Sequence, residues 1–132
     1  MKRILFVCVE NSCRSQIAEA YVRMHKVAGV KAYSAGSHPS GVVNRKAIQA
    51  MQELGYDLDS HQSKSLTDLP DLVFDVVVTM GCGDDCPAIR AEKREDWQIP
   101  DPKHMGMEEF LQVRNLIGQH VENLLSALDN RQ

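Results

Sequence analysis

The chain has 132 residues, 43% of them hydrophobic and 25% charged, with a formal net charge of −3. That length suits one domain with its own core, so residues 1–132 are expected to fold as a single unit. The composition excludes collagen-like, low-complexity and wholly disordered chains. The mildly acidic balance provides no global field that would draw the protein to nucleic acid or an anionic membrane.

The first strong element is a continuous apolar run over residues 3–9, the pattern of a buried parallel strand. The run is far short of the ~20 residues a membrane span needs. It turns polar at Glu10-Asn11-Ser12 without the apolar stretch and small-residue cleavage site of a signal peptide, so a cytoplasmic location is expected. After the turn at 10–14 a helix starts near Ser15. Ile17, Ala20, Tyr21 and Met24 make one apolar stripe, and Gly29 closes the segment. Residues 31–35 form a short second strand ending at Gly36. A second helix covers about 44–54, with Gly55 as its cap.

The Val-rich stretch 72–80 is the third strand, broken by Gly81. Residues 82–93 read as a loop or short helical turn, and 94–99 as a last strand. The mixed-sign run from Arg90 to Asp96 reads as a solvated face, and Trp97 as core filling. Pro100-Asp101-Pro102 is a rigid loop. The final helix covers about 107–128, with Phe110, Val113, Ile117, Val121, Leu124 and Leu128 on one side. Strands alternating with helices predict an α/β three-layer sandwich on a four-stranded, mostly parallel sheet. Ligands of such sheets bind at the carboxyl ends of strands, the edge that receives the loops after the first and third strands.

The segment Cys8-Val9-Glu10-Asn11-Ser12-Cys13-Arg14-Ser15 is the most informative. A cysteine ends a buried strand, and an arginine opens the next helix. A loop curling between them turns backbone N–H groups toward a point above the Cys8 sulfur. The helix N-terminus adds about half a positive charge there, and the Arg14 fork suits tetrahedral oxyanions. The same field favours the Cys8 thiolate, and Ser15 is placed to donate to it. Residues 8–15 are therefore an oxyanion cradle with a nucleophile at its base. The alternative is a buried small Cys8 and a solvated Arg14.

The string Cys-x5-Arg-Ser on a strand–loop–helix frame resembles the phosphate-binding loop of low-molecular-weight protein tyrosine phosphatases and of the arsenate reductases built on the same fold. The resemblance extends to Ser34-Ala35-Gly36 and to Asp101-Pro102, and so covers nearly the whole chain. It implies that Asp101 is the acid that protonates the leaving oxygen; the alternative is a solvated turn aspartate. In the phosphatases proline usually follows Arg-Ser, and aromatic residues follow Asp-Pro. Here Gln16 follows Ser15, and Lys103-His104-Met105 follow Pro102, so the reductase version is the closer resemblance.

Gly81-Cys82-Gly83-Asp84-Asp85-Cys86-Pro87 points the same way. Reduction of arsenate takes two electrons, which one dithiol supplies, and the glycines suit a loop that swings Cys82. Structural zinc or inert thiols are the other readings of this pair, although no second ligand pair for zinc is evident. The resemblance implies attack of Cys8 on arsenate, a Cys8–Cys82 disulfide, and then a Cys82–Cys86 disulfide. Thioredoxin or another thiol reductant, glutaredoxin included, would reopen the last of these. It gives Cys13 a packing role.

Asn11 is expected to hold loop carbonyls and to tolerate a left-handed backbone. In some thioredoxin-coupled relatives an asparagine and a glutamate placed like Asn11 and Glu19 help to bind potassium, with an aspartate after a His-x-Ser string. Here that string is His61-Gln62-Ser63 and Lys64 follows it, so the Lys64 ammonium is expected to replace the ion beside Glu19. His61, His104 and the other histidines are expected at the surface or in caps. No cofactor or metal is expected, and the small acidic chain suits a monomer. The alternatives to an arsenate reductase are a tyrosine or arginine phosphatase using Cys8, Arg14 and Asp101, and a non-catalytic oxyanion-binding or redox-sensing module.

Overall fold

The computed structural model describes residues 2–81 and 89–129. Four strands, β1 (Lys2–Cys8), β2 (Val30–Gly36), β3 (Phe74–Thr79) and β4 (Ala91–Asp96), and three helices, α1 (Arg14–His25), α2 (Arg45–Gln52) and α3 (Met107–Asp129), follow in the order β1-α1-β2-α2-β3-β4-α3. The sheet order is β2-β1-β3-β4, and every pair is parallel. β1 lies inside, with Ile4 opposite Ala32 on one side and Val76 on the other. Its continuous apolar run follows from burial on both faces.

Side chains alternate across the strand. Ile4, Phe6 and Cys8 enter the larger core with Val76 and Val78, Ile17 and Ala18 of α1, and Ala47 and Met51 of α2. α3 completes that layer. Its six expected apolar positions, Phe110, Val113, Ile117, Val121, Leu124 and Leu128, are all buried. Leu5, Val7 and Val77 face the other way. Among the described residues they are covered by Leu66 and Leu69, in and just after the short 3-10 turn Leu66–Asp68, and by Ile89. The third layer is thinner than the first.

The last strand starts and ends three residues earlier than 94–99, so residues 91–93 are strand rather than loop. The charged run is thus an edge strand and not merely a solvated face. Along it half-buried and exposed residues alternate, and charge on an edge discourages pairing with another chain. Trp97 and Ile99 lie just beyond it and are buried. Trp97 packs against Phe6 with ring centroids 5.8 Å apart and stacks on His120 at 4.9 Å. Because all four strands are parallel, the loops after β1, β3 and β4 leave from one edge.

α2 is fastened by a buried arginine. Arg114 on α3 donates through Nη1 to the Ala50 carbonyl in the last turn of α2 at 2.8 Å, and lies 3.4 Å from Glu53. A cation at a helix C-terminus meets both the orphan carbonyls and the dipole. Replacing Arg114 by methionine keeps the stem and leaves that buried carbonyl unpaired. We expect a loss of about 1–3 kcal/mol in urea denaturation. An unchanged midpoint would show that water substitutes for the guanidinium.

Candidate active site

The loop after β1 owes its shape to where its carbonyls go. The Val9 carbonyl accepts from the His38 amide at 2.8 Å, Glu10 from Ser40 at 3.0 Å, and Ser12 from Asn44 at 2.9 Å. The Asn11 carbonyl accepts from Gln16 Nε2 at 3.1 Å. A trans peptide directs its N–H opposite to its C=O. The amides of residues 10–13 therefore face the other side, where a cavity of about 270 Å³ is lined by Cys8, Val9, Ser12, Cys13 and Arg14, among others.

Two features close the curl. Asn11 has φ of 50°, the left-handed backbone expected of it. Gly36 ends β2 against the loop, and a Cβ there would sit 2.6 Å from the Val9 carbonyl oxygen. α1 then starts at Arg14, with Cys13 at the N-cap and no side chain capping it. Its first amides are left to whatever anion enters.

Cys8 is buried at the cavity floor. Its Sγ lies 2.9 Å from Ser15 Oγ, which accepts from Asn11 Nδ2 at 2.7 Å. With one lone pair taken by Asn11, the Ser15 hydroxyl keeps its hydrogen free to donate to the sulfur once that sulfur is a thiolate. Cys13 is buried as well, and burial pushes its thiol up to about 11, so it stays protonated.

Arg14 is buried and donates through Nη1 to the Ile99 carbonyl at 3.1 Å; its Nη2 lies 3.7 Å from Asp101 Oδ2. Asp101 is half-exposed at the cavity wall and accepts from the Lys103 amide at 3.1 Å. Gly81, at φ of 81°, packs against the guanidinium so closely that a Cβ would meet Nη1 at 2.4 Å. Lys103 reaches across to Glu10, Nζ to Oε2, at 2.7 Å. That hydrogen bond holds the Lys103 ammonium above the ordinary lysine value.

Behind the loop, Asn11 Oδ1 accepts from Gln16 Nε2 at 2.9 Å and from the Lys64 amide at 2.8 Å. Gln16 Oε1 accepts from His61 Nδ1 at 2.9 Å, and His61 Nε2 faces the Tyr56 hydroxyl at 2.5 Å. Glu19 is almost wholly enclosed. It accepts from Ser34 Oγ at 2.5 Å and Arg23 Nε at 2.8 Å, with Lys64 Nζ and His61 Nδ1 each 3.9 Å away. A buried carboxylate needs such partners.

The structure thus brings Cys8, Arg14 and Asp101 to one cavity, with Ser15 buried against the Cys8 sulfur, and sets Lys64 beside Glu19. Cys82 and Cys86 lie outside the described residues. His61 caps the 3-10 turn Leu58–Ser60, as the capping expectation allows, but its ring is enclosed rather than at the surface. No site role is legible for Tyr56 or Lys103 in the sequence, while Gln16 reads there only as a family marker and Gly81 only as a strand breaker and loop glycine. For Gly81 and Lys103 the one pointer is adjacency, to Cys82 and to the Asp101-Pro102 pair.

His61 is held below the ordinary imidazole value chiefly by burial. Arg23 and Lys64 act in the same direction, against Glu19 and Asp57. The unfolded chain therefore takes up this proton first as pH falls. The stability associated with neutral His61 is present above about 6.5, its unfolded value, and is lost as pH drops through the folded-state value. We expect denaturation midpoints to fall below that pH, and His61→Gln to flatten the fall. An identical pH profile in the variant would assign the acid sensitivity elsewhere.

The family model for low molecular weight phosphotyrosine protein phosphatase matches residues 3–132. A glutaredoxin arsenate reductase of Synechocystis is 35% identical, over 97% of this chain and 99% of that protein. Arsenate reductase 2 of Staphylococcus saprophyticus is 40% identical, over 92% of this chain and 94% of its own. A solved arsenate reductase in the phosphate binding state superposes with a TM-score of 0.87 at 35% identity, covering 96% and 98% of the two chains.

Proposed function

Since the chain belongs to the low molecular weight phosphotyrosine protein phosphatase family, we propose that it reduces arsenate to arsenite, with Cys8 as nucleophile and a dithiol reductant closing the cycle. The observation that carries this reading is the Cys8 sulfur at the floor of a cavity toward which four successive amides are turned, in a chain that also holds Cys82 and Cys86. The names of the relatives support the reductase over the phosphatase. So does the absence of an aromatic residue immediately after Asp101-Pro102.

In this reading arsenate sits on the amides of the loop and the first turn of α1, with Arg14 taking two of its oxygens. Cys8 attacks arsenic as a thiolate while Asp101 gives a proton to the departing oxygen, so water leaves and a sulfur–arsenic bond forms. Ser15 steadies the thiolate beforehand. Cys82, as thiolate, then attacks the Cys8 sulfur. The electron pair of the sulfur–arsenic bond passes to arsenic, As(V) becomes As(III), and arsenite departs from a Cys8–Cys82 disulfide. Attack of Cys86 on Cys82 frees Cys8, and the resulting Cys82–Cys86 disulfide is reduced by a thioredoxin-like or glutaredoxin-like partner. Cys13, held as a thiol by burial, takes no part. The cytoplasmic, monomeric state expected above suits a substrate and reductant of this kind.

The test is arsenate-dependent oxidation of NADPH through thioredoxin reductase and thioredoxin, run beside a glutaredoxin system with glutathione. Turnover in at least one is expected, and its loss in Cys8→Ser and Cys82→Ser. Asp101→Asn should slow the chemical step by about 10²–10⁴-fold, the range for a lost general acid. Full activity in Cys82→Ser would remove the relay. Hydrolysis of p-nitrophenyl phosphate without arsenate turnover would favour the phosphatase.

A second outcome concerns Lys64. Its ammonium already supplies a cation near Glu19, so added potassium at constant ionic strength should leave turnover unchanged. A several-fold rise would show that an ion still has a place there.

A further inference from the structure

Among the described residues that line the cavity, two cationic side chains, Arg14 and Lys103, face two carboxylates, Glu10 and Asp101. A carboxylate at the mouth of an oxyanion site is unfavourable unless something holds it. Glu10 belongs to the loop after β1, and Lys103 lies 93 residues later, beyond β4; their side chains meet at 2.7 Å. Both are part-exposed, so they meet at the rim rather than at the floor. Lys103 is also tied to the proton-donor loop, because its amide donates to Asp101 Oδ1 at 3.1 Å. No other side-chain ion pair among the described residues joins the loop after β1 to the segment that follows β4, apart from Arg14 with Asp101 below it.

We propose that Glu10 and Lys103 form a strap across the mouth of the cavity that selects free tetrahedral oxyanions over their aryl esters. A free oxyanion lies wholly below the pair, on the amides and Arg14. An ester must send its organic group out through the rim, where the two side chains meet, and breaks their contact as it enters. The strap also keeps the Asp101 loop against the cradle while the mouth is narrow. The inference rests on the cradle being an oxyanion site, as proposed above, and names what that site admits.

The test uses protection of Cys8 from iodoacetamide in the full chain, read peptide by peptide by mass spectrometry, with inorganic phosphate and phenylphosphonate as probes. Neither requires turnover. In the wild type, phosphate should protect at lower concentration than phenylphosphonate. Lys103→Ala and Glu10→Ala should each improve phenylphosphonate relative to phosphate by about two- to fivefold, the range of a part-exposed ion pair. Because the strap needs both ends, the double variant should gain no more than either single one. The exchanged pair, Glu10→Lys with Lys103→Glu, should restore the wild-type ratio.

Two charges acting separately would behave otherwise. Loss of Lys103 would weaken both anions, loss of Glu10 would strengthen both, and the ratio would stay fixed. That pattern, or an unchanged ratio in both single variants, overturns the strap alone. Failure of phosphate to protect wild-type Cys8 overturns the oxyanion site, and the strap with it. Thermal melting of each variant shows whether it is folded. If either single variant fails to melt cooperatively, the exchanged pair carries the test, and failure to recover the wild-type ratio overturns the proposal.

Discussion

Four consecutive carbonyls held on the outside of one loop are the constraint from which the site follows. A backbone that exposes its amides to a ligand must place its carbonyls somewhere else, and buried carbonyls need donors. Here the segment from His38 to Asn44 supplies three of them and Gln16 the fourth. The stretch between β2 and α2 is therefore a mould for the loop after β1, and the polarity of the cradle is set before any ligand arrives. Such preorganisation spares the site from reorienting dipoles when a charge appears in it.

The same economy governs the charged groups. Glu19 and Arg14 are both buried, and each is matched by several partners rather than one. Glu19 holds Ser34 on β2 to α1, while Arg14 holds α1 to the Ile99 carbonyl beyond β4. The two ionic centres lie on α1 five residues apart, and between them they link this helix to the second strand and to the end of the fourth. A charge deleted from either would leave its buried partners unsatisfied, which costs more than the pair itself contributes. That is why such residues are tolerated in a helix whose other face is packed against α3.

How far the residues disclosed their arrangement depended on the type of signal. β1 and α3 were legible because their periodicity is long and uninterrupted, and burial on two faces or one stripe leaves no second reading. The cradle was legible because a strand end, a helix start and the spacing of Cys8 from Arg14 fix the geometry over eight residues. β4 was placed three residues too late because Trp97 and Ile99 attract attention as apolar residues. An edge strand may be charged, and these two fill the core from beyond its end. The enclosure of the His61 ring was not legible because it depends on Gln16, Tyr56 and Glu19, which lie 5 to 45 residues away in the chain. Lys103 escaped for the same reason, since nothing near it announces Glu10.

The opposed charges at the cavity wall have a kinetic meaning. Long-range attraction between a site and an anion raises the encounter rate and is screened by salt. Among the described lining residues Arg14 and Lys103 only offset Glu10 and Asp101, and on a chain of net charge −3 such a wall gives an approaching dianion little to follow from a distance. Attraction starts only within reach of the amides and Arg14, where screening is weak. In the proposed reading, anions are then told apart by the contacts they make inside the cradle rather than by attraction from a distance.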